Sequence, residues 1–290
     1  MKHISKKISH LFFVVACAIA FCFSGCEKME NPYYTNDPEP NIPLFADSVK
    51  KVLLEDFTGI RCNNCPAAAK LAEGIADASR TRVIVMAVHA GHLAKPDPNP
   101  DSPYTLDLQC PEGDTYYKDF NITANPMGVI NRFQKSAGDF QYSAPKWEDA
   151  IKDELQKPLT FKLTVEGSLA DNGTAINAKI TYTATETATA EHNLLVFLVE
   201  DGIVGSQLGK EGHIENYVFH NVLRETLHGD AYYGVSIGKP SAGEKNTYEF
   251  NNYKIKSINK KAETSTYKLI VAITQRGSKY IEQVEEIVLR

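Results

Sequence analysis

A C-x-x-C motif at the junction between an apolar, β-rich segment and a helical stretch limits this chain to few folds. The segment runs from Val49 to Phe57, and the motif reads Cys62-Asn63-Asn64-Cys65-Pro66. Asn63 to Ser79 then carries apolar residues at helical spacing among alanines, and Arg82 to Val88 is a continuous apolar run. This order predicts a β-α-β unit with a buried, parallel pair of strands.

The spacing of the C-x-x-C motif predicts thiol chemistry. It places Cys62 at a helix N-terminus, where backbone N–H groups and the positive end of the helix dipole favour a thiolate, and Arg61 adds a cation beside it. Cys65, one turn further along, is the shielded, resolving thiol in this interpretation. A structural disulfide on an inactive scaffold is the alternative, because folds are often retained after their chemistry is lost.

The N-terminus has the three parts of a secretory signal: a basic start, an apolar run from Leu11 to Phe23, and small residues before Cys26. An apolar run of this length spans only about 20 Å as a helix, which is too short for a bilayer core of roughly 30 Å. Ser24-Gly25-Cys26 resembles the lipobox of bacterial lipoproteins, in which the cysteine is acylated and becomes the new N-terminus. We therefore expect lipid on Cys26 to tether the chain to a membrane surface, with cleavage nearby by an ordinary signal peptidase as the alternative.

Loss of the leader and acylation leave three cysteines in the mature chain: Cys62, Cys65 and Cys110. Export places them in an oxidising compartment, where a disulfide can persist. We expect Cys110 to be a loop thiol without a role, with exchange with Cys62 as the alternative. The three thiols together with His89 or His92 could bind a metal, but only half a metal motif is present, so no metal or other cofactor is predicted.

Composition limits the partners of this chain. The formal net charge is −5 and becomes more negative when the basic leader is removed, which is the wrong sign for binding nucleic acid. Past the leader, no apolar stretch approaches the roughly 18 residues that span a bilayer.

Two segments are rich in proline. Residues 27–48 hold four prolines and are typical of an extended tether, and residues 91–114 form a Pro- and Asp-rich insertion. The 290 residues suit two domains, and nothing in them specifies an oligomeric state.

From Leu159 onward the pattern changes to an alternation of apolar and polar residues, as in Phe161 to Val165. Asp171-Asn172-Gly173 has the chemistry of a hairpin turn, and further β-rich runs follow at sandwich-like intervals. These features predict an all-β sandwich over residues 158–290. Within it, His213 to Arg224 collects histidines and aromatic residues, and this segment is a binding edge, an interdomain contact, or a strand and loop with solvated side chains.

Two positions around the motif resemble the thioredoxin fold. Asp56 stands six positions before Cys62, as the acidic residue of that family does, and Asn125-Pro126 precedes the apolar run Met127 to Ile130. The resemblance implies a cis peptide bond at Pro126 opposite the C-x-x-C motif, where it shapes an edge that pairs with a substrate peptide. It also implies that a buried Asp56 relays protons to Cys65, with an acid exposed at the end of the strand as the alternative.

Across nearly the whole mature chain, the sequence resembles the Omp-28-related outer-membrane lipoproteins of Bacteroidetes. The resemblance rests on the lipobox and on four segments: EDFTGIRCNNCP, EGDTYYKDFNITANPMGVINR, LLVFLVEDGIVGSQ and NYVFHNVLR. It implies an α/β thioredoxin-like domain over residues 49–157, followed by an all-β immunoglobulin-like sandwich over residues 158–290. A signal peptide, residues 1–25, and a lipidated tether, residues 26–48, would precede them and place the protein in the cell envelope at the outer membrane, on its periplasmic or its surface face.

The sequence leaves two functions open. The first is a lipid-anchored thiol-disulfide oxidoreductase that acts on exported proteins or peptides, in which Cys62 attacks a substrate disulfide and Cys65 resolves the mixed disulfide. Pro126, supported by Asn125, would shape the substrate edge, and Asp56 would assist proton transfer. The alternative is an outer-membrane binding or adhesion lipoprotein in which the thioredoxin-like part is a catalytically inert scaffold.

Overall fold

The computed structural model describes residues 49–290, without the side chain of Asn259. The predicted signal peptide, the predicted acylation of Cys26 and the tether over residues 26–48 lie outside the described residues. Among residues 49–290, none of the helices combines the length and the apolar character that a bilayer crossing requires.

Strands and helices alternate in the first part of the described chain. In chain order they are β1 (Val52–Thr58), α1 (Cys65–Ala78), β2 (Val83–His89), α2 (Pro111–Asp119), β3 (Met127–Ile130), β4 (Gln141–Tyr142) and α3 (Trp147–Leu155). Strands β1 and β2 pair in parallel, with Val52 opposite Val83 and Thr58 opposite His89, which confirms the predicted β-α-β unit. Strand β3 pairs with β1 in the antiparallel direction, and β4 pairs with β3.

Strands dominate the remaining part of the chain. They are β5 (Phe161–Ala170), β6 (Ala175–Ala184), β7 (His192–Asp201), β8 (Ile203–Gly209), β9 (Gly212–Phe219), β10 (Val222–Thr226), β11 (Val235–Gly238), β12 (Lys245–Lys254), β13 (Thr266–Gln275) and β14 (Ile281–Val288). Strands β12, β6 and β5 form a three-stranded sheet, and β8 and β9 form a separate hairpin. The boundary predicted between residues 157 and 158 lies between α3 and β5. That it separates two domains stays a prediction.

One mixed sheet joins the two parts of the chain. Its strands follow the order β14-β13-β7-β10-β2-β1-β3-β4, and β11 also pairs with β7. The link is the parallel pair β10 and β2, where Val222 lies opposite Ala87 and the amide N of Ala87 donates to the carbonyl O of Asn221 at 2.9 Å. The prediction of an α/β thioredoxin-like domain followed by a separate all-β immunoglobulin-like sandwich is therefore wrong. It failed because hydrophobic alternation identifies strands but does not show which distant strand pairs with them.

Helices cover both faces of this sheet around β1. Leu54 of β1 lies in an apolar cluster with Ala72 of α1 and the fully buried Trp147 of α3. Phe57 belongs to a second cluster that contains Tyr116 of α2 and residues of β7, β10, β13 and β14. Because successive side chains of a strand point to opposite faces, α2 packs on the other face from α1 and α3. The second cluster is thus shared by both parts of the chain.

Candidate functional site at the Cys62–Cys65 disulfide

Cys62 and Cys65 follow β1 and are joined by a disulfide bond. Helix α1 begins at Cys65 with Pro66 in its first turn, so Cys62 lies in the preceding turn and its carbonyl O accepts from the amide N of Cys65 at 3.2 Å. Cys62 is 1% exposed and Cys65 is 2% exposed. The disulfide is therefore not presented at the surface of the protein.

The hairpin formed by β8 and β9 covers the disulfide loop. The side-chain amide of Gln207, itself buried, donates to the carbonyl O of Cys62 at 3.0 Å and to that of Gly59 at 3.3 Å. The backbone N of Leu208 donates to the carbonyl O of Ile60 at 2.9 Å. Since β8 and β9 form a two-stranded sheet of their own, these bonds attach the hairpin to the loop that carries the motif.

The insertion over residues 91–114 completes the cover. Leu108 from this insertion is buried in an apolar cluster with Ile60 of the disulfide loop and with Ile203 and Phe219 of the hairpin. Three segments that are distant in the chain thus meet over the motif. Such close packing keeps thiol reagents larger than water away from the sulfur atoms in the closed state.

A cavity of about 40 Å³ adjoins the disulfide, and its lining includes Asp56, Cys65, His89 and Phe219. Neither Oδ1 of Asp56 nor Nδ1 of His89 has a hydrogen-bond partner within the described part of the chain. Burial raises the pKa of Asp56 to about 7. Burial, helped by the positive charge of Arg224, lowers the pKa of His89 to about 3. His89 is therefore neutral at physiological pH, and the pKa of Asp56 lies close to physiological pH. The proton relay from Asp56 to Cys65 stays a prediction.

The segment before β3 also meets the carboxyl end of β1. The Asn125–Pro126 peptide bond is cis, and Nδ2 of Asn125 donates to the carbonyl oxygens of Thr58 at 2.6 Å and Ala90 at 3.0 Å. The guanidinium Nη2 of Arg61 donates to the carbonyl O of His92 at 2.9 Å, so Arg61 binds the insertion. The catalytic parts predicted for Pro126, Asn125 and Arg61 stay predictions.

Cys110 is a free cysteine in the core. It caps the N-terminus of α2, where its Sγ accepts from the amide N of Gly113 at 3.4 Å. Burial raises the pKa of the Cys110 thiol, and the nearby Glu112 raises it further. These surroundings favour a protonated, unreactive thiol. Within residues 49–290, no three His, Cys, Asp or Glu side chains are grouped so that they could hold a metal ion.

Sequence reasoning did not single out Gln207. The segment from His213 to Arg224 was recognisable by its composition, and its Phe219 lies in the cluster over the motif. Gln207 carries no such signal, because an isolated glutamine in a strand does not indicate that it contacts Cys62, 145 residues earlier in the chain.

Comparisons with known proteins identify the family and the fold. A family model described as outer membrane protein Omp28 matches residues 113–290. Among solved structures, HBP35 of Porphyromonas gingivalis is 15% identical, with a TM-score of 0.60, over 83% of this chain and 76% of that chain. A domain of the outer membrane lipoprotein Omp28 from Porphyromonas gingivalis is 13% identical, with a TM-score of 0.29, over 45% of this chain and 88% of that chain. No curated protein matches the sequence.

At this level of identity, the likeness to HBP35 shows a shared fold alone. The match to the Omp28 family model is evidence of family membership, because it covers more than half of the chain. The predicted location in the cell envelope is confirmed by this match. This chain belongs to the Omp28 family of outer membrane proteins.

Proposed function

We propose that this protein is an outer-membrane binding or adhesion lipoprotein whose Cys62–Cys65 disulfide stabilises the scaffold and is not turned over. The observation that carries the proposal is the burial of both cysteines beneath the chain's own hairpin and insertion. An oxidoreductase has to bring a thiolate into contact with the disulfide of another protein, so its attacking sulfur must be accessible. Acylation of Cys26 would hold the folded part at the membrane surface.

A structural disulfide at this place has a definite physical effect. It ties the turn after β1 to the first residue of α1, across only 3 positions of sequence. In the chain-entropy description, closing a loop of about four residues stabilises a folded protein by roughly 2 kcal/mol. For a chain of this size, that free energy corresponds to a shift of about 4–8 °C in melting temperature.

The test compares turnover with stability in the mature chain carrying Cys26→Ser. We expect no acceleration of insulin reduction by dithiothreitol over the same reaction with a Cys62→Ser/Cys65→Ser variant, which is the matched control. We also expect that variant to melt about 4–8 °C below the disulfide-bonded protein. Catalysed insulin reduction that disappears in the control would overturn the proposal and restore the oxidoreductase hypothesis, with exported proteins as substrates.

A further inference from the structure

The β8–β9 hairpin is joined to the rest of the chain at one end only. Gly202 connects it to β7, and His220 and Asn221 connect it to β10. The two connections lie side by side, because the backbone N of Gly202 donates to the carbonyl O of Phe219 at 3.0 Å. Gly202 and Asn221 have positive φ angles of 85° and 51°, so the extended conformation of the strands is interrupted at both connections.

These connections form a hinge. Within residues 49–290, β8 and β9 pair only with each other, so the hairpin can turn as a unit without breaking the large mixed sheet. Hinge motions of this kind are absorbed by a few residues at the ends of elements, which is where Gly202 and Asn221 lie. The contacts that hold the hairpin down are those made over the disulfide loop by Gln207, by the backbone of Leu208 and by the apolar cluster around Phe219.

The hairpin forms one wall of the cavity beside Asp56. Gln207, Tyr217 and Phe219 line this cavity of about 40 Å³ from the hairpin side, and the carboxylate of Asp56 lines it from the sheet side. Asp56 is 2% exposed, and its Oδ1 has no hydrogen-bond partner within the described part of the chain. A carboxylate in such a place is disfavoured in its ionised form until water reaches it. The docked hairpin and a charged Asp56 therefore oppose each other.

The groups around the cavity do not offset that charge. The other titratable side chains in its lining come from α1, β2, the hairpin and the turn after it: Glu73, His89, Tyr217 and His220. Burial and the positive charge of Arg224 keep the pKa of His89 at about 3, so its ring is neutral. Nδ1 of His220 lies 2.9 Å from Oδ1 of Asp201, so this ring is held by another carboxylate. Strand β3, which pairs with β1 at Asp56, has no titratable side chain.

We propose that the protonation state of Asp56 controls the position of the hairpin. The hairpin lies over the disulfide while Asp56 is protonated, and it turns away when Asp56 is ionised, because the open position brings water to the carboxylate. Opening uncovers the disulfide together with the apolar surface of Ile60 and Leu108. This inference goes beyond the proposed function and does not depend on it, since neither turnover nor a binding partner enters the argument.

The expected size of the effect follows from the two environments of Asp56. Burial raises its pKa to about 7 in the closed state, whereas a hydrated aspartate has a pKa of about 3.9. Protonation therefore favours the closed hairpin fully below about pH 3.9, and this preference decreases as the pH rises and is lost by about pH 7. Between pH 5 and pH 8, the open fraction should rise about 100-fold.

The test uses the mature chain carrying Cys26→Ser and compares it with Asp56→Asn, which keeps the shape of the side chain and does not ionise. The rate at which tris(2-carboxyethyl)phosphine reduces the Cys62–Cys65 disulfide is measured from pH 5 to pH 8, and the ratio of the two proteins at each pH removes the titration of the reagent. Hydrogen exchange of the Leu208 amide, followed by NMR, reports opening without thiol chemistry, because this amide donates to the carbonyl O of Ile60 in the closed state.

Both ratios of wild type to Asp56→Asn should rise about 100-fold between pH 5 and pH 8, and Asp56→Ala, a second neutral variant, should give the same result. Glu73→Gln is the matched control, because it removes the other carboxylate of the same cavity and should keep the wild-type profile. Ratios that do not change with pH would overturn the inference and mean that the ionised carboxylate is hydrated inside the closed cavity. A pH dependence that disappears in Glu73→Gln would also overturn it.

Discussion

Replacement of Gln207 by Ala should accelerate reduction of the Cys62–Cys65 disulfide by dithiothreitol. The disulfide is buried beneath the β8–β9 hairpin, so a thiol reaches it only in molecules in which the hairpin has moved away. Gln207 is the side chain whose hydrogen bonds join the hairpin to the disulfide loop. Its removal should raise the fraction of open molecules and hence the rate of reduction.

The magnitude follows from the hydrogen bonds that are lost. The amide of Gln207 donates to the carbonyl oxygens of Gly59 and Cys62, and each such bond contributes about 0.5–1.5 kcal/mol. Both carbonyl oxygens keep a second donor within the loop, so no unpaired acceptor remains. A total of about 2 kcal/mol corresponds to an increase of roughly 30-fold in the open fraction, because about 1.4 kcal/mol is a factor of ten.

The assay quenches the reaction with maleimide at successive times and counts alkylated cysteines by mass spectrometry. Val204→Ala, on the exposed side of the same hairpin, is the control and should be reduced at the wild-type rate. Urea titration of the rate separates local opening from global unfolding, since local opening exposes less surface and has a smaller urea dependence. Equal rates for Gln207→Ala and wild type would refute the reasoning and mean that thiols reach the disulfide without hairpin movement.

Two further predictions concern stability. Burial raises the pKa of Asp56 to about 7 from an ordinary value of about 3.9. The contribution of its protonated form to the free energy of unfolding is therefore complete below about pH 3.9. This contribution decreases as the pH rises and is lost by about pH 7. The difference in unfolding free energy between wild type and Asp56→Asn, measured with urea, should therefore change by roughly 4 kcal/mol between about pH 4 and about pH 8, and no change would contradict the raised pKa. Gly128→Ala should destabilise the fold by about 1–3 kcal/mol or more, because the new Cβ would lie 2.2 Å from Nε1 of Trp147. Gly74→Ala in α1 should instead stabilise the fold by about 0.5–1 kcal/mol, because its Cβ would meet no atom within 4 Å. Thermal unfolding of this pair checks the contrast, and equal melting temperatures would exclude it.

Local patterns made the first part of the fold predictable. Every residue of β1 is buried, and the strand is apolar apart from Glu55, Asp56 and the terminal Thr58. The helix that follows begins at the second cysteine of the motif. The cis bond before Pro126 and the burial of Asp56 were implied by the resemblance to the thioredoxin fold. All these features depend on residues close together in the chain or on a short motif.

Strand β10 shows why the remaining topology was not predictable. Its sequence, VLRET, contains two charged residues and reads as a half-exposed strand, yet all five of its residues are buried. Nε of Arg224 lies 3.2 Å from a carboxylate oxygen of Glu200, and the carboxylate of Glu225 accepts from the backbone N of Lys256. These partners come from β7 and from the segment after β12, both distant in sequence from Arg224 and Glu225. Because distant partners allow the charged residues of β10 to be buried, this central strand has no apolar sequence pattern by which it could be predicted.

The apolar cluster under the hairpin determines how often the disulfide is accessible. Opening the hairpin returns Ile203 and Phe219 to water, at about 1.5–3 kcal/mol for each fully buried side chain. Together these contributions favour the closed state by a factor of about 10² to 10⁴, before the hydrogen bonds of Gln207 are counted. An oxidoreductase with this cover would react only in that small open fraction, whereas a structural disulfide is protected from reduction by the same factor. The reactivity of the C-x-x-C motif in this protein should therefore depend on the stability of the hairpin more than on the acidity of Cys62.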